Sequence, residues 1–259
     1  MSIKFHQLSY AVTSLNGKRR FLFDNLSAEI NRGELCAILG VNGSGKSTLL
    51  KVLAGLKKSL TGEVQIENKA YAKIDQQDFP LKVSYLPQVT PIYYNLSSQE
   101  IIRLGAYPLV RKGKLTESQL TERIKNTFQL LQIEHLQERK IFSLSGGEYQ
   151  KVMLGRVLAV DSPYLLLDEP TAALDIQQEL DLMENLKKLK KEQNKSIIAI
   201  MHDLELAGRY ADKILLLAPG QKPSYYFGSI HEVYIPEILE KTFKVKMITT
   251  EKGTSFFPL

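Results

Sequence analysis

The segment Gly40–Ser47 has the residue types and spacing of a phosphate-binding loop, Gly-Val-Asn-Gly-Ser-Gly-Lys-Ser. Its glycines let the backbone turn N–H groups inward, and a helix that starts there adds the positive end of its dipole. Lys46 supplies a charge for the β- and γ-phosphates, and the Ser47 hydroxyl is suited to ligate Mg²⁺. A glycine-rich turn without a ligand is the alternative, but an apolar run before the loop and a helical pattern after it favour the cradle. The segment predicts that the chain binds a nucleoside triphosphate.

Polar side chains also stand where strands are predicted to end: Gln88 closes one strand, Asp168 and Glu169 end a second, and His202 follows a third. The carboxyl ends of parallel strands share one edge of the sheet, where the phosphate loop also lies. Asp168 is suited to hold Mg²⁺ directly or through water, and Glu169 to orient and polarise the attacking water. Gln88 is suited to contact both metal and water, and His202 to donate to the γ-phosphate. An ordinary polar strand end is the competing interpretation for each of them.

A second candidate for anion binding is Leu144–Glu148 (Leu-Ser-Gly-Gly-Glu), just before a helical run predicted over Tyr149–Val160. It offers the hydroxyl of Ser145 and two small residues, Gly146 and Gly147, at a helix N-terminus. Since one triphosphate needs only one cradle, the second nest indicates a cap for a nucleotide held elsewhere. A symmetric dimer in which each chain caps its partner's nucleotide satisfies this requirement.

The elements that position these residues follow from the hydrophobic pattern. Residues 3–39 are expected to be β structure, with a hairpin turn at Asn16-Gly17, and residues 95–160 are expected to be helical. Ser97 with Glu100 resembles a capping box. Beyond residue 160 buried strands alternate with helices, which is typical of a parallel sheet with helices on its faces. The remaining predictions are strands beginning at Ile3 and Phe21, strands within Leu60–Ile66, Val83–Gln88, Tyr164–Leu167, Ser196–Met201 and Lys213–Leu217, a helix opened by Thr116 that buries Leu120, Ile124, Phe128 and Leu131, and a helix over Ile176–Gln193 capped by Asp175.

Composition sets the class of protein. The 259 residues carry a mild net charge of +6, with 44% hydrophobic and 24% charged residues, as in an ordinary globular protein. The single cysteine, Cys36, lies in an apolar strand and is predicted to be a core residue in a reducing compartment. No apolar run reaches the roughly 18 residues of a membrane span, so a membrane role requires a partner. Because the first residues lack the apolar region of a secretion signal, a cytoplasmic location is expected.

Together these motifs resemble the ATP-binding subunits of ABC transporters, from about Ile3 to Lys246. The corresponding segments are Gly40–Ser47 with the Walker A loop, Gln88 with the Q-loop glutamine, Leu144–Glu148 with the ABC signature, Leu165–Pro170 with Walker B and its catalytic glutamate, Ala173–Asp175 with the D-loop, and Met201–Asp203 with the switch histidine. The resemblance implies an α/β P-loop NTPase of ABC type, with a mainly parallel sheet core, an N-terminal antiparallel β section and an inserted helical lobe. It implies a single ABC ATPase domain over residues 1–259, with its core at about 1–94 and 161–259 and the lobe at about 95–160.

The resemblance also implies an ATP hydrolase that uses Mg²⁺ and forms a head-to-tail dimer with two ATP molecules at its interface. The residues that it makes catalytic are Lys46, Gln88, Glu169 and His202. Those that it places on ATP within one chain are Gly40, Val41, Asn42, Gly43, Ser44, Gly45, Lys46, Ser47 and Thr48. Those that it places across the dimer are Ser145, Gly146, Gly147 and Asp175, and those on Mg²⁺ are Ser47, Gln88 and Asp168.

The family stacks adenine on an aromatic residue of the N-terminal strands. Strict spacing places Val12 there, and Tyr10 lies two residues earlier on the same strand face, so Tyr10 is the candidate. A tyrosine of the core or of the surface is an equal alternative at that position.

Within the family the chain is most similar to importers of iron–siderophore complexes, haem or cobalamin. Residues 101–109 resemble a segment of that subgroup usually read Gly-Arg-x-Pro-His, with Ala106 and Leu109 in place of its arginine and histidine. The subgroup is also resembled by residues 202–207 followed by 210–212, and by residues 236–239 and 243–245. The expected partners are a second copy and transmembrane permease subunits, whose coupling helix would bind near Gln88 and the helical lobe, and indirectly a solute-binding protein. No nucleic acid is expected, and the location is peripheral on the inner face of the cell membrane.

Three other functions compete with this one. The first is the ATPase of a zinc, manganese or other ABC transporter, and the second is a soluble single-cassette ABC ATPase of an assembly pathway. The third is a small-molecule kinase, which leaves the nest at residues 145–147 without a role.

Overall fold

The computed structural model describes residues 1–13, 17, 19–221, 224–250 and 253–258, and the chain forms two compact units. The first unit combines Met1–Lys73 with Ile198–Leu259, and the second is Ile74–Ile197. The strands are β1 (Ser2–Thr13), β2 (Arg19–Asn31), β3 (Leu35–Gly40), β4 (Thr61–Ile66), β5 (Lys69–Ala70), β6 (Val83–Leu86), β7 (Tyr164–Leu167), β8 (Ser196–Ile200), β9 (Lys213–Leu217), β10 (Tyr225–Gly228), β11 (Val245–Thr250) and β12 (Gly253–Pro258). The α-helices are α1 (Lys46–Leu53), α2 (Phe79–Lys82), α3 (Ser98–Gly105), α4 (Tyr107–Arg111), α5 (Glu117–Leu131), α6 (Gly146–Leu158), α7 (Ile176–Gln193), α8 (Leu204–Tyr210), α9 (Ile230–Val233) and α10 (Pro236–Phe243).

The first unit opens with an antiparallel sheet in the strand order β2-β1-β4-β5. β1 pairs with β2 along its length, with register shifts between Phe5 and Ala11. This sheet is the N-terminal β section that the sequence predicts, although β2 begins at Arg19 rather than at Phe21 because the ladder to the end of β1 continues through both arginines. Asn16 of the predicted hairpin turn lies outside the described residues.

The first unit also contains the strands β10, β9 and β3 in that order, followed by the residues of β8 from Ile198 onward. All six residues of β3 are buried, as a strand with covered faces requires. β3 pairs in parallel with β9, from Cys36 opposite Lys213 to Gly40 opposite Leu217. Cys36 is wholly buried and burial raises the pKa of its thiol, so it is the core residue that the sequence predicts. Because β3 ends at Gly40, the segment that follows starts at the carboxyl edge of this sheet.

In the second unit β6 and β7 pair in parallel, and α6 packs against α3 and α5. The predicted helix starts are confirmed: Ser97, Thr116 and Asp175 cap α3, α5 and α7 with their side chains. The Ser97 capping box is complete, with Glu100 N–H donating to Oγ at 3.2 Å and Ser97 N–H donating to the carboxylate at 2.6 Å. The apolar positions of α5 are buried as predicted, namely Leu120, Ile124, Phe128 and Leu131.

One predicted helix start is wrong by three residues. α6 begins at Gly146, not at Tyr149, since Ser145 forms a capping box with Glu148 that outweighs the poor helix propensity of two glycines. Residues 95–160, the predicted lobe, lie within the second unit together with β6, β7 and α7. Among the described residues, no helix has the length and apolarity that a membrane crossing demands.

Candidate functional site

The loop Gly40–Ser47 connects β3 to α1 in the first unit, and its backbone requires glycine. Gly40 has a φ of +147° and Gly45 a φ of +103°, which side chains rarely adopt. A Cβ on Gly45 would also lie 2.8 Å from the Cβ of Leu22. The loop therefore has tight backbone conformations that glycine adopts readily, as a phosphate cradle requires.

The start of α1 fits a phosphate. Gly45, at the N-cap, offers no side chain to the helix, and the first turn of α1 holds no acidic residue. The positive end of the helix dipole is therefore suited to an anion. Lys46 is buried, and its ammonium donates to the carbonyls of Gly40 at 2.8 Å and Val41 at 3.3 Å, which places the charge over the loop. The buried Ser44 hydroxyl has no hydrogen-bond partner among the described residues. This combination suits a ligand rich in oxygen acceptors, and Ser47 follows in the first turn of α1.

The switch-histidine segment lies at the same edge of the first unit. The N–H of Met201 donates to the carbonyl of Ile38 at 3.2 Å, so the chain leaving β8 runs beside β3. His202 follows immediately and is exposed. Asp203 fixes the next turn, because its Oδ1 accepts from two N–H groups at the start of α8. The backbone that leads to His202 therefore lies beside the strand that leads to Gly40, within this unit.

The acidic residues belong to the second unit. Asp168 directly follows β7 and is 1% exposed. The hydroxyl of Tyr85 donates to the Asp168 Oδ2 at 3.2 Å. The N–H of Asp168 donates to the carbonyl of Leu86 at 2.9 Å. Burial, with the Asp168 charge adding to it, raises the pKa of Tyr85, so the phenol stays protonated and remains a donor. A buried carboxylate held in this way is suited to hold a cation directly or through water.

Glu169 is held beside Gln88. The Gln88 amide Nε2 donates to the Glu169 Oε2 at 2.7 Å, so the predicted convergence of Gln88 with the acidic pair is found within the second unit. Glu169 has a φ of +53°, a left-handed conformation that costs free energy for a residue with a side chain. Pro170 follows, and its carbonyl accepts from the buried Gln150 amide at 3.3 Å. The half-buried Glu169 carboxylate is thus placed by backbone and side-chain contacts.

The signature segment forms the start of α6, also in the second unit. Ser145 Oγ accepts from the N–H of Glu148 at 3.3 Å, and the Ser145 N–H donates to the Glu148 Oε2 at 2.8 Å. The bond from the Ser145 N–H is the main cause that lowers the pKa of Glu148. A Cβ on Gly147 would lie 2.7 Å from the Gln178 Oε1, so this segment adjoins the start of α7. Asp175 caps α7 by accepting from the Gln178 N–H at 2.8 Å.

Tyr10 is half-buried and already packed. Its ring lies 6.0 Å from the Phe23 ring and 5.5 Å from the Lys57 ammonium, which also donates to its hydroxyl at 3.5 Å. Val12, the position that strict spacing favours, is exposed and paired with Arg20. The Arg20 guanidinium donates to the Gly43 carbonyl at 2.8 Å. The role of Tyr10 in stacking adenine stays a prediction.

Sequence reasoning missed two contacts at these residues, those of Arg20 and Tyr85. The contact of Arg20 with Gly43 depends on the register shifts in β1, which no clear pattern in the sequence predicts. Tyr85 had one available signal, since a parallel pairing of β6 with β7 places it opposite Leu166, two residues before Asp168.

A model of the ABC transporter family matches residues 23–172, more than half of the chain. The chain belongs to the ABC transporter family. An ATP-binding protein assigned to a siderophore transport system of Bacillus subtilis is 30% identical to it, over 97% of this chain and 91% of the relative. The hemin import ATP-binding protein of Vibrio parahaemolyticus is 32% identical, over 95% of this chain and 94% of the relative.

Solved ABC structures have the same fold. A chain of a transporter assigned to the metal-chelate type, in an inward-facing conformation, matches with a TM-score of 0.82 and 25% identity, over 100% of this chain and 97% of that one. A dimeric ATP-binding cassette in a post-hydrolysis state with ADP and phosphate matches with a TM-score of 0.74 and 29% identity, over 83% and 94%. The predicted α/β P-loop NTPase fold of ABC type is confirmed, and the chain is an ATP-hydrolysing transport subunit.

Proposed function

We propose that this chain powers a membrane importer for an iron–siderophore complex, haem or a cobalamin-type solute. The observation that carries the proposal is the similarity, over nearly the whole chain, to ATP-binding proteins named for siderophore and hemin uptake. A transporter assigned to the metal-chelate type, matched over the full chain, adds support. An ATPase for zinc, manganese or another solute is the runner-up, since the solute is read by subunits outside this chain.

The proposed reaction is hydrolysis of ATP by an activated water. Mg²⁺, when bound, offsets charge on the phosphates, and Ser47, Gln88 and Asp168 are the residues proposed to hold it. Lys46 binds the β- and γ-phosphates with its ammonium. Glu169 orients the water and accepts its proton as the water attacks the γ-phosphorus, while its bond to Gln88 fixes the carboxylate. The bond from phosphorus to the bridging oxygen breaks, and ADP leaves with that oxygen.

We propose that the remaining nucleotide contacts are made by the phosphate loop and by the switch-histidine segment. His202 donates to the γ-phosphate. The loop residues from Gly40 to Thr48 surround the phosphates, with the orphaned Ser44 hydroxyl among their hydrogen-bonding groups. Tyr10 is the candidate for contact with adenine.

We propose that two copies clamp two ATP molecules head to tail. The start of α6 exposes Ser145 and Gly146, and Asp175 is exposed at the start of α7 nearby. These residues and Gly147 are proposed to cap the nucleotide of the partner copy. The dimeric state of a related cassette with ADP and phosphate supports this arrangement.

A membrane partner explains an exposed apolar surface of the second unit. The segment 90–96 is held to residues 141–149, since the N–H of Ile141 donates to the Leu96 carbonyl, that of Phe142 to the Asn95 side chain, and the Tyr149 hydroxyl to the Thr90 carbonyl. Apolar side chains exposed in a contiguous patch indicate a protein interface. The exposed apolar side chains that we call the apolar face are Val89, Tyr93, Tyr94 and Phe142, on or beside these joined segments, together with Leu104 of α3 and Tyr107 of α4. We propose that permease subunits bind it, which places the chain peripherally on the inner face of the membrane.

The decisive test of the reaction is Glu169→Gln. We expect this variant to keep its affinity for ATP, to lose turnover by about 10²- to 10⁴-fold, as for a missing general base, and to accumulate as an ATP-bound dimer. Phosphate release and sedimentation measure the two effects. Glu122→Gln, an exposed carboxylate of α5, is the matched control and should behave as wild type. Undiminished phosphate release by Glu169→Gln would refute the role of this residue.

A companion variant separates binding from turnover. Lys46→Ala should weaken ATP binding itself by about ten- to a hundredfold, the value of one charge-assisted hydrogen bond, in a titration with a fluorescent analogue.

Purification from native membranes tests the partner: a multi-span membrane protein should co-purify. Its absence, with soluble assembly factors recovered instead, would favour the soluble ATPase.

A further inference from the structure

A short segment of the second unit ties the start of α3 to the start of α6. This strap (residues 137–141) lies against residues 96–99 through three backbone bonds. The N–H of Gln99 donates to Gln137 at 3.1 Å, that of Ser98 to Arg139 at 2.9 Å, and that of Ile141 to Leu96 at 2.8 Å. The Ser98 hydroxyl donates to the same Arg139 carbonyl at 3.2 Å. The backbone of Arg139 therefore follows any displacement of the start of α3.

The side chain of Arg139 reaches the signature segment in the other direction. One guanidinium nitrogen contacts the Glu148 Oε1 at 2.9 Å, and the other donates to the carbonyl of Ser143. The second oxygen of Glu148 accepts from the N–H of Ser145. A planar guanidinium with two acceptors fixes direction as well as distance. A single side chain thus holds both ends of the turn that presents Ser145.

The solvent exposure of the Arg139–Glu148 ion pair determines how much the pair contributes to folding stability. The side chains of Arg139 and Glu148 are 42% and 27% exposed, and such ion pairs add little to folding stability. The capping box of Ser145 with Glu148 does not require the guanidinium. The consequence of the Arg139 contacts is therefore the position of the turn.

We propose that Arg139 is a positioning residue that makes the placement of Ser145 depend on the placement of α3. This inference rests on the proposed function, in which Ser145 caps the ATP of the partner copy and the apolar face binds the membrane subunit. Two members of that face, Tyr94 and Phe142, flank the strap contacts, and Leu104 lies on α3. Pressure on the face moves the start of α3, and the Arg139 guanidinium carries the displacement to Ser143 and Glu148.

The first experiment measures ATP-driven dimerisation in the Glu169→Gln background by sedimentation. Adding Arg139→Ala should raise the dimer dissociation constant about tenfold, because a turn that Arg139 no longer holds places Ser145 less well on the partner's ATP. ATP affinity of the monomer and the melting temperature should stay near their parent values. Arg139→Lys should restore dimerisation in part, because an ammonium keeps the charge but not the two-pronged geometry.

Arg103→Ala is the matched control. Arg103 also pairs with a glutamate in the second unit, contacting Glu117 at 2.6 Å with a side chain 44% exposed, and this pair joins α3 to α5 rather than to the signature segment. It should leave the dimer constant unchanged. If parent and control fail to dimerise with ATP, the proposed dimer itself is wrong. If they dimerise and Arg139→Ala dimerises equally well, only the present inference is overturned.

A second measurement follows hydrogen exchange at the amides of Ser98, Gln99 and Ile141, which report on the strap. Dimerisation with ATP should change their exchange in the parent, and Arg139→Ala should abolish that change at equal dimer occupancy. Unaltered coupling of exchange to ATP would overturn the proposal. So would a fall in dimerisation that follows the melting temperature and that Arg139→Lys does not relieve, because that result assigns a purely structural role.

Discussion

Two helix starts carry the proposed nucleotide contacts, and they are built in opposite ways. α1 begins after Gly45 in a left-handed conformation, without a capping side chain and without an acidic residue in its first turn. α6 begins after Ser145 with a complete capping box, and Arg139 holds its Glu148. A phosphate is therefore suited to act as the missing cap of α1, whereas α6 is capped by its own chain.

This difference explains why the start of α1 suits a nucleotide bound by its own chain, whereas the start of α6 suits a nucleotide bound by the partner copy. At α1 the ligand replaces a side-chain cap, so backbone shape decides affinity. At α6 the side chains already satisfy part of the helix end, so the turn keeps its form before any ligand arrives. We infer that the first start sets binding of ATP and the second sets closure of the dimer.

The largest expected effect is the difference between alanine substitutions at Gly45, before α1, and at Gly146, the first residue of α6. Gly45→Ala forces a side chain into a φ of +103° and into contact with Leu22, so we expect a loss of stability above the roughly 1–2 kcal/mol of a left-handed residue, and loss of ATP binding. At Gly146 the nearest atom that a Cβ would meet in the described part of the chain is the Ala173 Cβ, at 3.7 Å. Gly146→Ala should keep its stability and its ATP affinity but lose dimer-dependent hydrolysis, because the methyl group occupies the capping surface.

Melting curves, analogue titrations and hydrolysis at two protein concentrations measure these outcomes. Normal ATP affinity in Gly45→Ala, or normal hydrolysis in Gly146→Ala, would remove the contrast between the two helix starts.

A smaller effect tests the capping boxes. Ser145→Ala should lower the free energy of unfolding by about 1 kcal/mol, the usual contribution of an N-cap hydroxyl, and should also reduce hydrolysis. Thr116→Ala removes the equivalent box of α5 and serves as the control. It should show a similar loss in chemical denaturation with unchanged hydrolysis. Equal hydrolysis in the two variants would mean that the Ser145 hydroxyl does not contact ATP.

The smallest effect is the pH response of Glu148 in α6. The bond from the Ser145 N–H holds the pKa of Glu148 below its ordinary value of 4.5, with Arg139 adding to the shift against the cost of burial. Since the pKa is lower in the folded state, the carboxylate stabilises the fold above pH 4.5, and that contribution is lost as the pH falls through the folded-state pKa. An NMR titration of the Glu148 carboxyl carbon should show this midpoint. A midpoint at or above 4.5 would contradict the capping box.

The sequence predicted well where local signals agree. The helix over Ile176–Gln193 has its N-cap, its period and its buried stripe in one stretch, and the structure has the same bounds. The phosphate loop is equally local, since three glycines and a lysine determine it. In contrast, α6 starts early because a capping box formed across four residues overrides glycine propensity. The contacts of Arg20 and Tyr85 depend on strand register, which residues far apart in sequence decide together.

The single cysteine of the chain has a practical consequence. Cys36 lies wholly inside β3, and burial keeps its thiol protonated, so it is shielded from alkylating reagents while the chain is folded. A maleimide dye or spin label can therefore be attached at an introduced surface cysteine without first removing the native one. The distance between two such labels, one on each copy, would follow closure of the proposed dimer in real time.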